Sequence, residues 1–192
     1  MIGAITAGLF STGASAAAAA SYESIATVTV GSGGSSSIDF TSIPSTFKHL
    51  QIRGISRSTA AQNYMGLRMQ VGNGSIDTGS NYSVHELTGD GSTASAGANT
   101  PQTTTFVTTS LAANDLANTF GVAVIDLLEY ANTNIYKTFR DLGGCDKNGG
   151  GYVNFNSGSW RSTSAINTIK IYASAGNLAQ YSQFALYGIK GA

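Results

Sequence analysis

Residues 64–71 read Tyr-Met-Gly-Leu-Arg-Met-Gln-Val, with the large apolar side chains on every second position. Successive side chains of an extended strand point to opposite faces, whereas an amphipathic helix needs apolar positions three and four apart. Met65, Leu67, Met69 and Val71 therefore share one face of a strand, while Arg68 and Gln70 take the other. The first face is expected to be buried and the second exposed. Asn73-Gly74 follows, a dipeptide suited to tight reversals between strands.

The same period recurs along the chain. Residues 27–30 alternate Thr and Val, and Ser36, Ile38 and Phe40 continue the pattern before Pro44. In residues 47–57, Leu50 and Ile52 lie on one face, with Gln51, Arg53 and Arg57 on the other. Further strands are predicted at residues 82–87, 103–109, 119–130, 135–142, 152–155, 166–173 and 183–189. Residues 120–130 also carry some helical spacing, but Val122 and Val124 favour a strand. In the last segment Phe184, Leu186 and Gly188 share one face and Ala185, Tyr187 and Ile189 the other, so cover on both sides is expected.

About ten short strands without helical crossovers predict an antiparallel arrangement. The expected fold is all-β: one antiparallel β-sandwich, jelly-roll-like, over residues 22–192, with an arm over residues 1–21. Residues 88–102 and 143–151 are rich in Gly, Ser, Ala and Asn. Both are expected to be long surface loops, where binding function is often carried.

Charge removes several classes of function. Asp, Glu, Lys and Arg make up 10% of the chain, against roughly 25% in an average soluble protein. The formal net charge is zero and no basic run exists, so nucleic acid is not an expected partner. His49 and His85 form no metal-ligand spacing with the single cysteine, Cys145. Each histidine is expected to be structural, and Cys145 to be a small half-buried side chain beside a glycine turn. The carboxylates are scattered, Asp126 and Glu129 included, and no Gly-x-Ser-x-Gly elbow exists. The Asp146–Gly151 run departs from a calcium loop at Gly150 and Ser157. No catalytic, cofactor-binding or metal-ligating set emerges, and the chain is expected not to be an enzyme.

Two segments remain as candidates for binding. Residues 1–21 are uncharged and apolar or small, but Gly3 and Gly8 interrupt the apolar run and no Lys or Arg precedes it, unlike a secretory leader. The run is also too short and glycine-rich for a membrane span, so membrane insertion is not expected. Ile2, Ile5, Leu9 and Phe10 define an expected docking arm, each worth about 1.5–3 kcal/mol on burial before the cost of ordering. The second candidate is the neighbourhood of the 143–151 loop, where Tyr152, Phe155, Trp160 and Arg161 are the candidates for a sugar-stacking platform; core filling is the commoner use of such rings.

Residues 22–53 (YESIATVTVGSGGSSSIDFTSIPSTFKHLQIR) and 164–192 (SAINTIKIYASAGNLAQYSQFALYGIKGA) are similar to a family of short virion structural proteins of tailed bacteriophages, common in marine phages. The similarity rests on the YESIATVTVG strand, the IP…F-x-HLQIR segment and the closing LYGIKG; residues 75–160 do not contribute. The resemblance implies a structural protein of the virion, a tail fibre or other appendage engaged in assembly or host attachment. A capsid decoration (cement) protein is the alternative, and a secreted carbohydrate-binding module a second. The partners implied are other virion proteins and copies of the chain itself, as a homo-oligomer, with a host surface glycan or protein as a further candidate.

Overall fold

The computed structural model describes residues 21–191, and the expected docking arm, with Ile2, Ile5, Leu9 and Phe10, lies outside them. Thirteen strands and no helix are formed among the described residues. The first half holds β1 (Tyr22–Thr29), β2 (Ile38–Phe40), β3 (His49–Ser56), β4 (Tyr64–Asn73), β5 (Ser75–Ile76) and β6 (Tyr82–Gly89). The second holds β7 (Ala94–Gln102), β8 (Thr105–Leu111), β9 (Gly121–Leu128), β10 (Lys137–Asp146), β11 (Gly151–Trp160), β12 (Thr168–Ala173) and β13 (Gln183–Ile189).

An eight-stranded sheet runs in the order β1-β13-β3-β9-β10-β11-β6-β7. It faces a five-stranded sheet, β2-β12-β4-β5, in which β8 also pairs with β4. Every pairing between these strands is antiparallel. Within this order, β1-β13-β3-β9 opposes β2-β12-β4-β8, and among these eight strands every connection in chain order changes sheet except that from β4 to β8. That path is a jelly roll, two four-stranded sheets wound together. Two hairpins are added to it: β6–β7 inserted between β4 and β8, and β10–β11 inserted between β9 and β12. They pair with each other through β6 and β11 and extend the large sheet beyond β9.

Alternation sets the core. Met65, Leu67, Met69 and Val71 are buried as expected, together with Leu50, Ile52, Ile125, Leu127, Phe139, Phe184 and Leu186 from the facing sheet. Strand β8 approaches the large sheet closely because glycines lie opposite its hydroxyls. A Cβ on Gly143 would stand 2.6 Å from Thr108 Oγ1, on Gly158 2.8 Å from Thr105 Oγ1, and on Gly121 2.5 Å from Ser110 Oγ. Those glycines are the reason three small polar residues can stand where large aliphatic ones would be expected.

Several expectations are corrected. Residues 94–102 form strand β7 on the edge of the large sheet, not a loop, because β6 supplies a full ladder of partners. The 143–151 loop shrinks to a four-residue turn, since β10 continues to Asp146 and β11 begins at Gly151. Gln70 is buried, its Nε2 donating to the Thr103 carbonyl at 2.9 Å. Arg57 is buried as well: its guanidinium donates to the carbonyls of Ala113, Asp115, Leu116 and Thr119 and so fixes the crossing from β8 to β9. The second face of β13 is half-buried and not fully covered.

Candidate functional site

The jelly-roll extension changes what the large sheet shows to solvent. On β9, Val122 and Val124 point outward, because Ala123 and Ile125 fill the interior. Register then aligns Val124 with Leu142 on β10, Leu142 with Phe155 on β11, Phe155 with Leu87 on β6 and Leu87 with Ala96 on β7. The adjacent row toward the 147–150 turn contains Ile55, Val122, Gly144 and Val153. Seven of these side chains are substantially exposed, from Val124 at 38% to Val153 at 61%. Together they present on the order of 600 Å² of apolar side chain, at the upper end of the largest patch on an ordinary monomer.

This surface is not flat. Gly89, Gly144 and Gly151 supply no side chains, and an open groove of about 1030 Å³ forms between Phe120, Val122, Val124, Leu142 and Val153. Asp90 and Asp146 stand at its rim. Toward the other end of the same strands the face turns polar. Gln51 Nε2 donates to Asp126 Oδ1 at 2.8 Å, Arg140 reaches Asp126 Oδ2 at 2.7 Å, and Arg53 Nε donates to Gln51 Oε1 at 2.7 Å. Arg53 also lies over the rings of Tyr22 and Tyr187. The outer sheet face is thus divided along its strands, with an apolar half toward the 147–150 turn and a hydrogen-bonded half toward the opposite end.

The aromatic candidates are not brought together. Tyr152 and Trp160 occupy opposite ends of β11; Trp160 is buried in the interior, whereas Tyr152 is half-buried and lines the outer groove. Tyr152 meets Tyr64 edge-on at 4.9 Å between ring centroids, and Lys147 lies 4.6 Å from the Tyr64 ring centre while paired with Asp115 at 3.1 Å. Trp160 is buried, and its Nε1 donates to Asp77 Oδ2 at 2.7 Å. Desolvation is the largest single influence on the Asp77 carboxyl and raises it, but the hydrogen bonds from Trp160, Asn81 and the Gly79 amide together outweigh it and hold the group below the usual range. Arg161 is exposed and is held by Thr100 Oγ1 and the Ser80 carbonyl. Phe155 alone of the group faces outward, on the apolar row.

The remaining polar candidates have structural surroundings. His49 Nδ1 accepts from the Glu129 amide, and Glu129 pairs with Lys48. His85 is exposed on the outer face of β6. Cys145 is buried in β10, where desolvation pushes its thiol up. Among the described residues, no group of three His, Cys, Asp or Glu side chains is placed to hold a metal ion.

A second, smaller cleft lies where the large sheet overhangs the small one. It has a volume of about 310 Å³ and is lined by polar groups including Arg68, Glu86, Thr88, Asn99 and Asn154. Arg68 covers the Phe106 ring at 5.1 Å, so that ring is not free to stack on a ligand.

Sequence reasoning missed the outer apolar face as a site. Its signal was present in the unbroken run Val122-Ala123-Val124-Ile125, which is apolar on both faces of one strand. Such a run indicates cover on two sides, and among the described residues one side has none. Comparison of the chain with protein-family models, with curated proteins and with solved structures found no match.

Proposed function

We propose that this chain is a structural protein of a tailed-phage virion, a tail-fibre or appendage component that acts by binding neighbouring subunits and not by catalysis. The reading rests on the resemblance of residues 22–53 and 164–192 to that class of virion proteins, and the observation that supports it is where the fold puts them. The two segments lie far apart in sequence, yet they supply β1, β13 and β3 as neighbours in one sheet and β2 and β12 as neighbours in the other. They therefore build one continuous half of the jelly roll. Jelly rolls serve in capsid and lectin domains alike, so the fold supports the reading by analogy only.

Surface chemistry adds an independent argument. A chain of zero net charge with few ionic side chains packs against copies of itself without accumulating repulsion. The outward apolar rows on β9, β10, β11 and β6 are suited to permanent burial, as in obligate interfaces. Gold-labelled antibody against the chain, applied to purified particles, tests the proposal. Label on the tail or its appendages supports it, label over the capsid surface favours the decoration reading, and particles without label contradict both.

The carbohydrate-binding reading has one specific feature in its favour, the polar cleft containing Arg68, Glu86 and Asn99. Host surface glycans arrayed on a solid support test it. Binding lost on Glu86→Ala would favour a lectin-like module, and release of saccharide would contradict the non-enzymatic proposal.

A further inference from the structure

The outer groove and the N-terminal segment have matching chemistry. The groove is walled by Phe120, Val122, Val124, Leu142 and Val153, with glycines between them that leave room for inserted side chains. Residues 1–20 carry no charge and include four large aliphatic or aromatic side chains, Ile2, Ile5, Leu9 and Phe10. A volume near 1030 Å³ is at the upper limit of small-molecule sites, and its long open side suits a polypeptide segment better than an enclosed ligand.

The course of β1 indicates whose segment fits. The chain enters β1 at Tyr22, paired with Ile189, which is paired in turn with His49 and then Leu128. That is the polar end of the outer face. The groove lies at the opposite end of the strands, beside Val122 and Val153, and four strand spacings away at β10. A chain's own segment would have to reverse direction and cross roughly 20 Å of sheet at about 4.8 Å per strand, which takes more than half of the roughly 35 Å that the ten residues after Phe10 span when fully extended. A segment from a neighbouring copy has no such reversal to make.

The geometry points to a head-to-tail contact in which residues 2–10 of one copy occupy the outer groove of a second copy. This deepens the assembly reading, on which it rests, by naming the partner and the surface. The contact is heterologous: each copy offers one arm and one groove, so copies add successively until a ring closes or a filament extends.

Sedimentation of the full chain across a range of concentrations tests the contact with complementary variants. The unaltered chain is expected to self-associate reversibly. Leu9→Asp with Phe10→Asp, which alters only the arm, weakens association at least tenfold. Leu142→Asp with Val153→Asp, which alters only exposed groove positions, does the same, and melting by circular dichroism confirms that each variant is folded. Mixed in equal amounts, the two variants restore association but stop at a one-to-one pair, because one intact arm meets one intact groove. A full chain that stays monomeric at every concentration overturns the inference, as would an arm that seats on its own domain. An arm variant that associates like the unaltered chain overturns it in favour of face-to-face sheet packing. Association in solution with no label on particles would leave this contact standing and remove the virion reading instead.

Discussion

Asn156 Nδ2 donates to Asp141 Oδ1 at 2.5 Å across the β10–β11 ladder, in the interior between the two sheets. The same pair leaves two buried acceptors, Asp141 Oδ2 and Asn156 Oδ1, without a hydrogen-bond partner. A buried carboxylate oxygen without a donor favours the protonated form. Burial accordingly pushes the Asp141 carboxyl up to about 8, against the lowering effect of the Asn156 hydrogen bond.

The first prediction follows from that shift. A carboxyl with a higher pKa in the fold than in the unfolded chain binds its proton more tightly when folded. Its contribution is complete below the unfolded value near 3.8 and is lost as the pH rises through about 8. Asp141→Asn keeps the shape and removes the ionisation. The variant is expected to melt higher than the unaltered protein at pH 8–9, by on the order of a few kcal/mol. The advantage should shrink toward pH 4. Melting curves of both proteins from pH 4 to 9 check it, and a pH-independent difference would contradict the assignment.

A second prediction separates the two faces of β4. Leu67 is fully buried, and Leu67→Ala is expected to cost about 2–5 kcal/mol. Arg68 is half-exposed and lies over Phe106, so Arg68→Ala should cost about 1 kcal/mol or less. Leu67→Asp should abolish folding. Urea titration of the three variants measures this, and equal costs for Leu67→Ala and Arg68→Ala would refute the strand's facing.

Strand β13 lies between β1 and β3, so its removal takes the partner from both. Deleting residues 183–192 is expected to prevent folding, because Phe184 and Leu186 leave the core at the same time. A truncated protein with an unchanged melting temperature would show this end to be peripheral.

The close approach of β8 gives a fourth test. Gly143→Ala places a Cβ 2.6 Å from both Thr108 Oγ1 and the Val122 carbonyl oxygen. The expected destabilisation is about 1–3 kcal/mol. Gly89→Ala is the control: no heavy atom lies within 4 Å of its added Cβ, and its effect should stay within about 0.5 kcal/mol. Comparable losses in the two variants would exclude tight interlayer packing as the cause.

Period-two alternation made most of the sandwich legible. Residues 64–71 announced β4 because one of its faces is uniformly apolar, and the last strand was read at the bounds it takes, residues 183–189. Strand β7 was not legible, because Ala94 to Gly97 carry little apolar contrast and the ladder to β6 defines the strand. The burial of Gln70 and Arg57 was hidden for another reason. Their partners are backbone carbonyls 33 or more residues away, which alternation does not encode. Trp160 was readable as a core residue, but its placement away from Tyr152 depended on β11 extending over ten residues. The outer apolar rows needed register as well as pattern, since Val124, Leu142, Phe155 and Leu87 become neighbours only when four strands align.

The most direct test of the assembly account is recovery of the chain in purified particles when residues 2–20 are deleted. Copy number would be measured by quantitative mass spectrometry, beside circular dichroism melting of the deleted protein. The account predicts a folded β domain, with a melting temperature close to that of the full chain, that is lost from particles. A deleted protein present at the normal copy number would contradict it and place attachment elsewhere on the sandwich.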